Sequence, residues 1–184
     1  MNQFKKAMLA AAAALLLGCA AHPGGLMIPS AGPFIEGVPF FPQDEYMCGP
    51  AALASVIGFY GASNGMDAVA AQVYSEKLKG TLPMDLLIYA KEKGFEAKYF
   101  KGSMEGLKES LLRKEPLILF LNRGYEFYPV GHYVVAIGMD EAGGFVYAHS
   151  GMKKQERYTV KELERLWSKT GYSTLLVRPK AGQQ

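Results

Sequence analysis

Five side chains in this 184-residue sequence could serve as a nucleophile or a near-neutral base: Cys19, Cys48, His22, His132 and His149. Cys48 opens the segment CGPAALASVIGFYG. Here Pro50 suits the first turn of a helix, Leu53, Val56, Ile57 and Tyr60 recur at helical spacing, and Gly61 suits the helix end. A cysteine in that position meets unpaired amide hydrogens and the positive end of the helix dipole, which favour the thiolate. An unperturbed thiol has a pKa of about 8.5, so only a few per cent is ionised at neutral pH; a helix terminus with an imidazolium nearby would reverse that. His132 follows the loop NRGYEFYPVG and opens an apolar strand, so its imidazole projects from a rigid element and can act as the base. Gln43, five positions before Cys48, can offer its side-chain amide to a developing oxyanion together with the backbone N–H of Cys48, and losing one such donor typically costs about 3 kcal/mol of transition-state stabilisation. Each of these residue types has ordinary structural uses. What points to nucleophilic catalysis is the order: a Gln, a Cys opening a helix, then a His opening a strand.

The elements that must hold these residues follow from periodicity. Residues 66 to 78 and 83 to 93 read as helices, and 103 to 114 as another with Ser103 as N-cap. FEAKYF at 95 to 100 and PLILFLN at 116 to 122 read as strands. HYVVAIGMD at 132 to 140 and FVYAHS at 145 to 150 flank EAGG, a hairpin signal. Thr159 followed by Glu162 forms a capping box for an amphipathic helix to about Lys169, whose Leu163, Leu166 and Trp167 are expected to pack on the sheet. YSTLLVRP closes the chain as a strand. A helical first half and a mostly antiparallel sheet argue for an α+β fold, and no Gly-rich phosphate loop follows a strand as a dinucleotide-binding fold requires. Tyr125, Phe127 and Tyr128, just before His132, suit either a cluster under the loop or a substrate-facing rim.

Composition narrows the class. With 49% hydrophobic and 20% charged residues the chain suits one globular domain, and two cysteines are too few for a disulfide framework. A net charge of +3, scattered along the sequence, predicts no nucleic-acid partner. The first 18 residues have the basic pair Lys5 and Lys6 and an apolar run from Ala7 to Leu17, shorter than the roughly 20 residues of a membrane span. Leu16, Leu17, Gly18 and Cys19 resemble a bacterial lipobox, which implies cleavage before Cys19 and lipidation of its thiol. The expected organisation is a signal peptide over 1–18, a lipidated cysteine and Gly/Pro-rich tether over 19–35, a catalytic domain over 36–180 and a tail over 181–184. His22 falls in the tether, without a role. By resemblance to Gram-negative lipoproteins, Ala20 after the cysteine favours the outer membrane, facing the periplasm.

The stretches QDEYMCGPAAL and GHYVVAIGMDEAGGFVYAHSG resemble the stand-alone relatives of the bacteriocin-processing, papain-like cysteine peptidases, from about Val38 to Val177. The resemblance implies a papain-like α+β fold, Cys48 as nucleophile, His132 as general base and acid, Gln43 in the oxyanion hole, a peptide or protein substrate, and no cofactor or metal. The best-known members cut after a double glycine and are fused to export ATPases; this chain has no ATPase segment, so that substrate is not carried over. The family's Asp, which orients the histidine from the next strand, is replaced here by AHSG. Ser150 stands at its position and His149 beside it, and on a strand the two point to opposite faces. A serine can hold an imidazole tautomer but cannot stabilise an imidazolium as a carboxylate does. Two alternatives follow. One is a catalytically silent binding module. The other resembles the NlpC-type peptidoglycan endopeptidases, with His149 orienting His132, although those enzymes carry Asp-Cys-Ser-Gly around the nucleophile. A Cys48, His132, His149 zinc site is disfavoured by its irregular spacing.

Overall fold

The computed structural model describes residues 31–43, 46–62 and 65–182. The signal segment and Cys19 lie outside them. Among the described residues, five helices and six strands run in the order α1 (Cys48–Phe59), α2 (Met66–Val73), α3 (Pro83–Glu92), β1 (Glu96–Lys101), α4 (Met104–Leu112), β2 (Leu117–Asn122), β3 (Gly131–Asp140), β4 (Phe145–Ser150), β5 (Lys153–Thr159), α5 (Val160–Ser168) and β6 (Ser173–Arg178). The strands form one sheet ordered β1-β6-β2-β3-β4-β5, every neighbouring pair antiparallel. The fold is α+β, as expected from sequence.

The helix that carries Cys48 is the centre of the molecule. Residues Cys48 to Ile57 are all buried, as befits a segment with no polar face, and α1 packs against α2, α3 and the central strand β3. Its N-terminus lies so close to Thr81 that a Cβ at Gly49 would come within 2.8 Å of the threonine Cβ. Thr159 caps α5 by accepting from Glu162 N–H at 3.1 Å, and Ser103 caps α4 in the same way from Gly106 at 3.0 Å. Trp167 is wholly buried, with its indole N–H on the Ser173 carbonyl at 3.0 Å.

One helix ends earlier than expected, one segment of the expected tether pairs with the sheet, and one strand was not expected. The second helix stops at Val73 rather than 78: Ser75 and Gly80 exchange backbone hydrogen bonds at 2.9 and 3.2 Å, turning the chain sharply, with Lys79 in the left-handed region at φ 46°. Residues 31–35, which fall within the expected tether, pair with the sheet. Where β2 ends opposite Ala136, this segment takes over the same side of β3: Ile35 N–H donates to the Ile137 carbonyl at 2.7 Å, Met139 N–H to Pro33 at 2.9 Å and Glu141 N–H to Ala31 at 3.1 Å. Phe34 packs edge-on against Tyr147. Pairing satisfies backbone groups of β3 that would otherwise be stranded. Finally, β5 was not foreseen at all, because KKQERYT offers neither an apolar run nor clean alternation.

Candidate active site

Gln43, Cys48 and His132 line one cleft of about 1050 Å³, its rim formed by the 78–82 turn, the 128–131 segment and Gly151 to Met152. Each of the three is only 8% exposed, so their polar atoms face the cleft from within the fold. Cys48 is a free thiol at the first position of α1. Its sulfur lies by the backbone amides of Tyr133, Gly49 and Cys48 itself. His132 opens β3, and Gln43 sits in the loop before α1, its backbone N–H on the Gly151 carbonyl at 3.4 Å. The exposed aromatic loop settles one open choice: Tyr125, Phe127 and Tyr128 are about 70 to 90% exposed, Tyr125 and Phe127 stack on each other, and Tyr128 borders the cleft. They do not form a buried cluster.

Strand register decides which neighbours His132 meets. Val135 pairs with His149, so Val134 stands opposite Ser150 and His132 shares the Ser150 face. The imidazole Nε2 is 3.1 Å from the Ser150 hydroxyl. His149, on the other face, is committed elsewhere: Nε2 lies 3.1 Å from the Val38 carbonyl, and Nδ1 accepts from Gln155 N–H at 3.2 Å. It therefore neither orients His132 nor joins it as a third zinc ligand, and of the pair at the missing Asp position only Ser150 reaches the imidazole.

Ser150 is itself the hub of a polar cluster that sequence reading missed. Arg123 Nη2 donates to Ser150 Oγ at 2.7 Å and to Tyr158 Oη at 2.6 Å, and lies 3.3 Å from Glu156 Oε2. Ser150 Oγ and Tyr158 Oη are 2.9 Å apart, Tyr158 donates to Glu156 Oε2 at 2.7 Å, and Lys153 holds the other carboxylate oxygen at 2.8 Å. A bulge brings these groups to one face. Ser150 pairs with Lys153 but Ala148 pairs with Glu156, so β5 carries one extra residue, Gln155, at φ 57°. Without it, Gln155 and Arg157 would share the Ser150 face; with it, Glu156 and Tyr158 do. His149 pins that bulge through the Gln155 amide.

Electrostatics differ from the sequence-based expectation of an ion pair. Burial pushes the Cys48 thiol up, against the backbone amides and the Arg123 charge that favour the thiolate. Burial, with Arg123 adding to it, pushes His132 down to about 4, only partly offset by Glu156. The resting pair is thus a neutral thiol and a neutral imidazole. Burial also raises Tyr158 to about 12, so it keeps its proton. For Glu156 burial acts upward, but the hydrogen bonds from Lys153 and Tyr158 outweigh it and hold the carboxyl at about 2. Among the described residues no group of three or more His, Cys, Asp or Glu side chains could hold a metal ion.

A cysteine heading a buried helix, packed on an antiparallel sheet whose strand opens with a histidine into the same cleft, defines the papain-like class of cysteine peptidase folds. The sequence profile of the Peptidase_C39 like family matches residues 35–175, and the chain belongs to that family. Solved structures agree. A double-glycine motif protease from an AMS/PCAT transporter, solved in complex with a leader peptide, is 25% identical, with a TM-score of 0.63 over 83% of this chain and 97% of its own. The peptidase domain of Streptococcus ComA, a bifunctional ABC transporter in a quorum-sensing pathway, is 22% identical with a TM-score of 0.63, over 82% of this chain and 100% of its own. A C39-like peptidase from Bacillus anthracis is 18% identical with a TM-score of 0.68, over 82% of this chain and 98% of its own. The search of curated proteins found no match.

Proposed function

We propose that this protein is a membrane-tethered cysteine peptidase that cleaves peptide bonds through a thioester on Cys48. Carrying the reading is the convergence of Cys48, His132 and Gln43 on one cleft, with His132 held at Nε2 so that Nδ1 is left for the thiol. Nδ1 takes the thiol proton as sulfur attacks the scissile carbonyl carbon. The oxyanion forms against the Cys48 N–H and the Gln43 amide. Collapse expels the amine, which leaves with the proton from His132, and water then hydrolyses the thioester with His132 again as base. Because the resting pair is neutral, the imidazole works as a base during attack rather than on a preformed thiolate.

An AMS/PCAT relative bound to a leader peptide supports a peptide substrate. The leucine, methionine and tyrosine side chains around this cleft, Tyr46, Leu78, Leu82, Tyr128 and Met152, suit apolar residues on that peptide. Lipidation of Cys19 would tether the domain to the outer membrane, facing the periplasm. Eleven residues separate Cys19 from Ala31, which limits the domain to about 40 Å from its anchor at full extension. Incubation with a peptide library and, separately, with peptidoglycan tests the reaction. Peptide cleavage that disappears in Cys48→Ala and His132→Ala is expected, with Gln43→Ala losing about 10²- to 10³-fold in kcat. Peptide binding without cleavage would instead favour a binding module, a reading motivated by the contact of His132 Nε2 with the Ser150 hydroxyl where the family has a carboxylate.

A further inference from the structure

We propose that Glu156, acting through the hydroxyls of Tyr158 and Ser150, is the positioning carboxylate for His132, displaced two hydrogen bonds from the place where the family's Asp would stand. The inference rests on the reading of Cys48 and His132 as a catalytic pair.

Proton counting gives the chain a direction. Tyr158 Oη and Glu156 Oε2 are 2.7 Å apart, and a carboxylate can only accept, so the tyrosine proton lies on that bond. Tyr158 therefore has no proton for Ser150. The 2.9 Å contact between the two hydroxyls must be Ser150 donating to Tyr158. Ser150 has then spent its only proton, and at 3.1 Å from His132 Nε2 it can only accept. Nε2 must carry the hydrogen and Nδ1 must be bare. The reverse tautomer would require Ser150 to donate to Nε2 and Tyr158 to donate to Ser150, leaving two acceptors facing each other at 2.7 Å. Arg123 reinforces the direction, since its Nη2 donates to both hydroxyls and fills their remaining acceptor sites.

The same chain polarises when charge appears. As His132 takes the thiol proton at Nδ1, every hydroxyl between it and Glu156 already points its proton toward the carboxylate, so the imidazolium meets the oxygen end of Ser150. Glu156 is buttressed by Lys153 and Arg123, the charged groups acting on His132 are Arg123 and Glu156, and Cys48 lines the same cleft from α1. His149 contributes by holding the bulge that turns Glu156 and Tyr158 inward.

Nitrogen-15 NMR of the full chain with ring-labelled histidines reads the tautomer without any substrate. Wild-type His132 is expected as the Nε2–H form. Tyr158→Phe removes one hydroxyl and should give a mixture of tautomers. Glu156→Gln keeps the shape but not the charge, and should lower the His132 titration midpoint; once a cleaved peptide is identified, it should also lower kcat about 10- to 100-fold with KM unchanged. Adding Ser150→Asp to the Tyr158→Phe protein places a carboxylate directly on the imidazole and should restore the Nε2–H form, which a general folding defect would not permit. Wild-type shifts in Tyr158→Phe, or an unmoved midpoint in Glu156→Gln, would overturn the proposal. If wild type shows the predicted tautomer but cleaves no peptide, the peptidase reading fails while the hydrogen-bond chain stands.

Discussion

At the scale of single residues, the chemistry of this site is governed by burial more than by formal charge. Cys48 and His132 each lose contact with water on folding, and both are driven toward their neutral forms. Two measurements follow. Alkylation of Cys48 by iodoacetamide should climb only at pH values more alkaline than a free thiol needs and show no acid-shifted limb near pH 6; a plateau at pH 6 would mean a preformed ion pair. Stability should also fall in acid. Unfolded His132 takes up a proton near pH 6.5 that the folded state resists down to about 4, so its contribution, about 3 kcal/mol, is complete above 6.5 and lost as pH falls toward 4. Glu156 adds a lower step: its carboxylate is favoured by folding, so that stability is present above about 4.5 and lost as pH falls through about 2. Urea titrations across this range should show a smaller upper step in His132→Gln, where the buried His149 keeps its own part, and a smaller lower step in Glu156→Gln.

At the scale of elements, two segments of unpromising sequence do much of the positioning. The polar strand β5 supplies Glu156 and Tyr158, and its one-residue bulge determines that they face Ser150 rather than solvent. The 31–35 segment extends the pairing of β3 beyond the end of β2, and it fits because Gly138 has no side chain: a Cβ there would collide with the Phe34 ring. Gly138→Ala is therefore expected to release residues 31–35, detectable as faster proteolysis of that segment with the rest of the domain intact. Thr159→Ala removes the cap of α5 and should cost about 1 kcal/mol in chemical denaturation.

At the scale of the whole molecule, a small peptidase-family domain is proposed to work on a short leash. Cys19→Ser should abolish incorporation of labelled palmitate and release the protein from the membrane fraction, leaving peptide cleavage by the purified domain unchanged. Retention of the variant in the outer membrane would refute lipid tethering. Removing residues 1–30 should leave stability unaltered, whereas removing 1–35 should lower it, since Ile35 is buried in the core and pairs with Ile137.

What the amino-acid sequence determined by itself was whatever depends on local pattern. Helical periodicity placed Cys48 at the head of α1, strand runs placed His132 at the start of β3, and the capping residues Ser103 and Thr159 marked helix starts. Those signals lie within a few residues of the positions they describe. The surroundings of His132 were illegible for the opposite reason. Arg123, Ser150 and the pair Glu156 and Tyr158 come from three separate stretches, and whether that pair faces inward or outward turns on a single extra residue in β5, which reverses strand parity without any apolar pattern to reveal it. His149 and Ser150 were indistinguishable as partners for His132 until the β3 to β4 register put them on opposite faces. Tertiary pairing decided those contacts because register is a property of two strands, and neither strand encodes it alone.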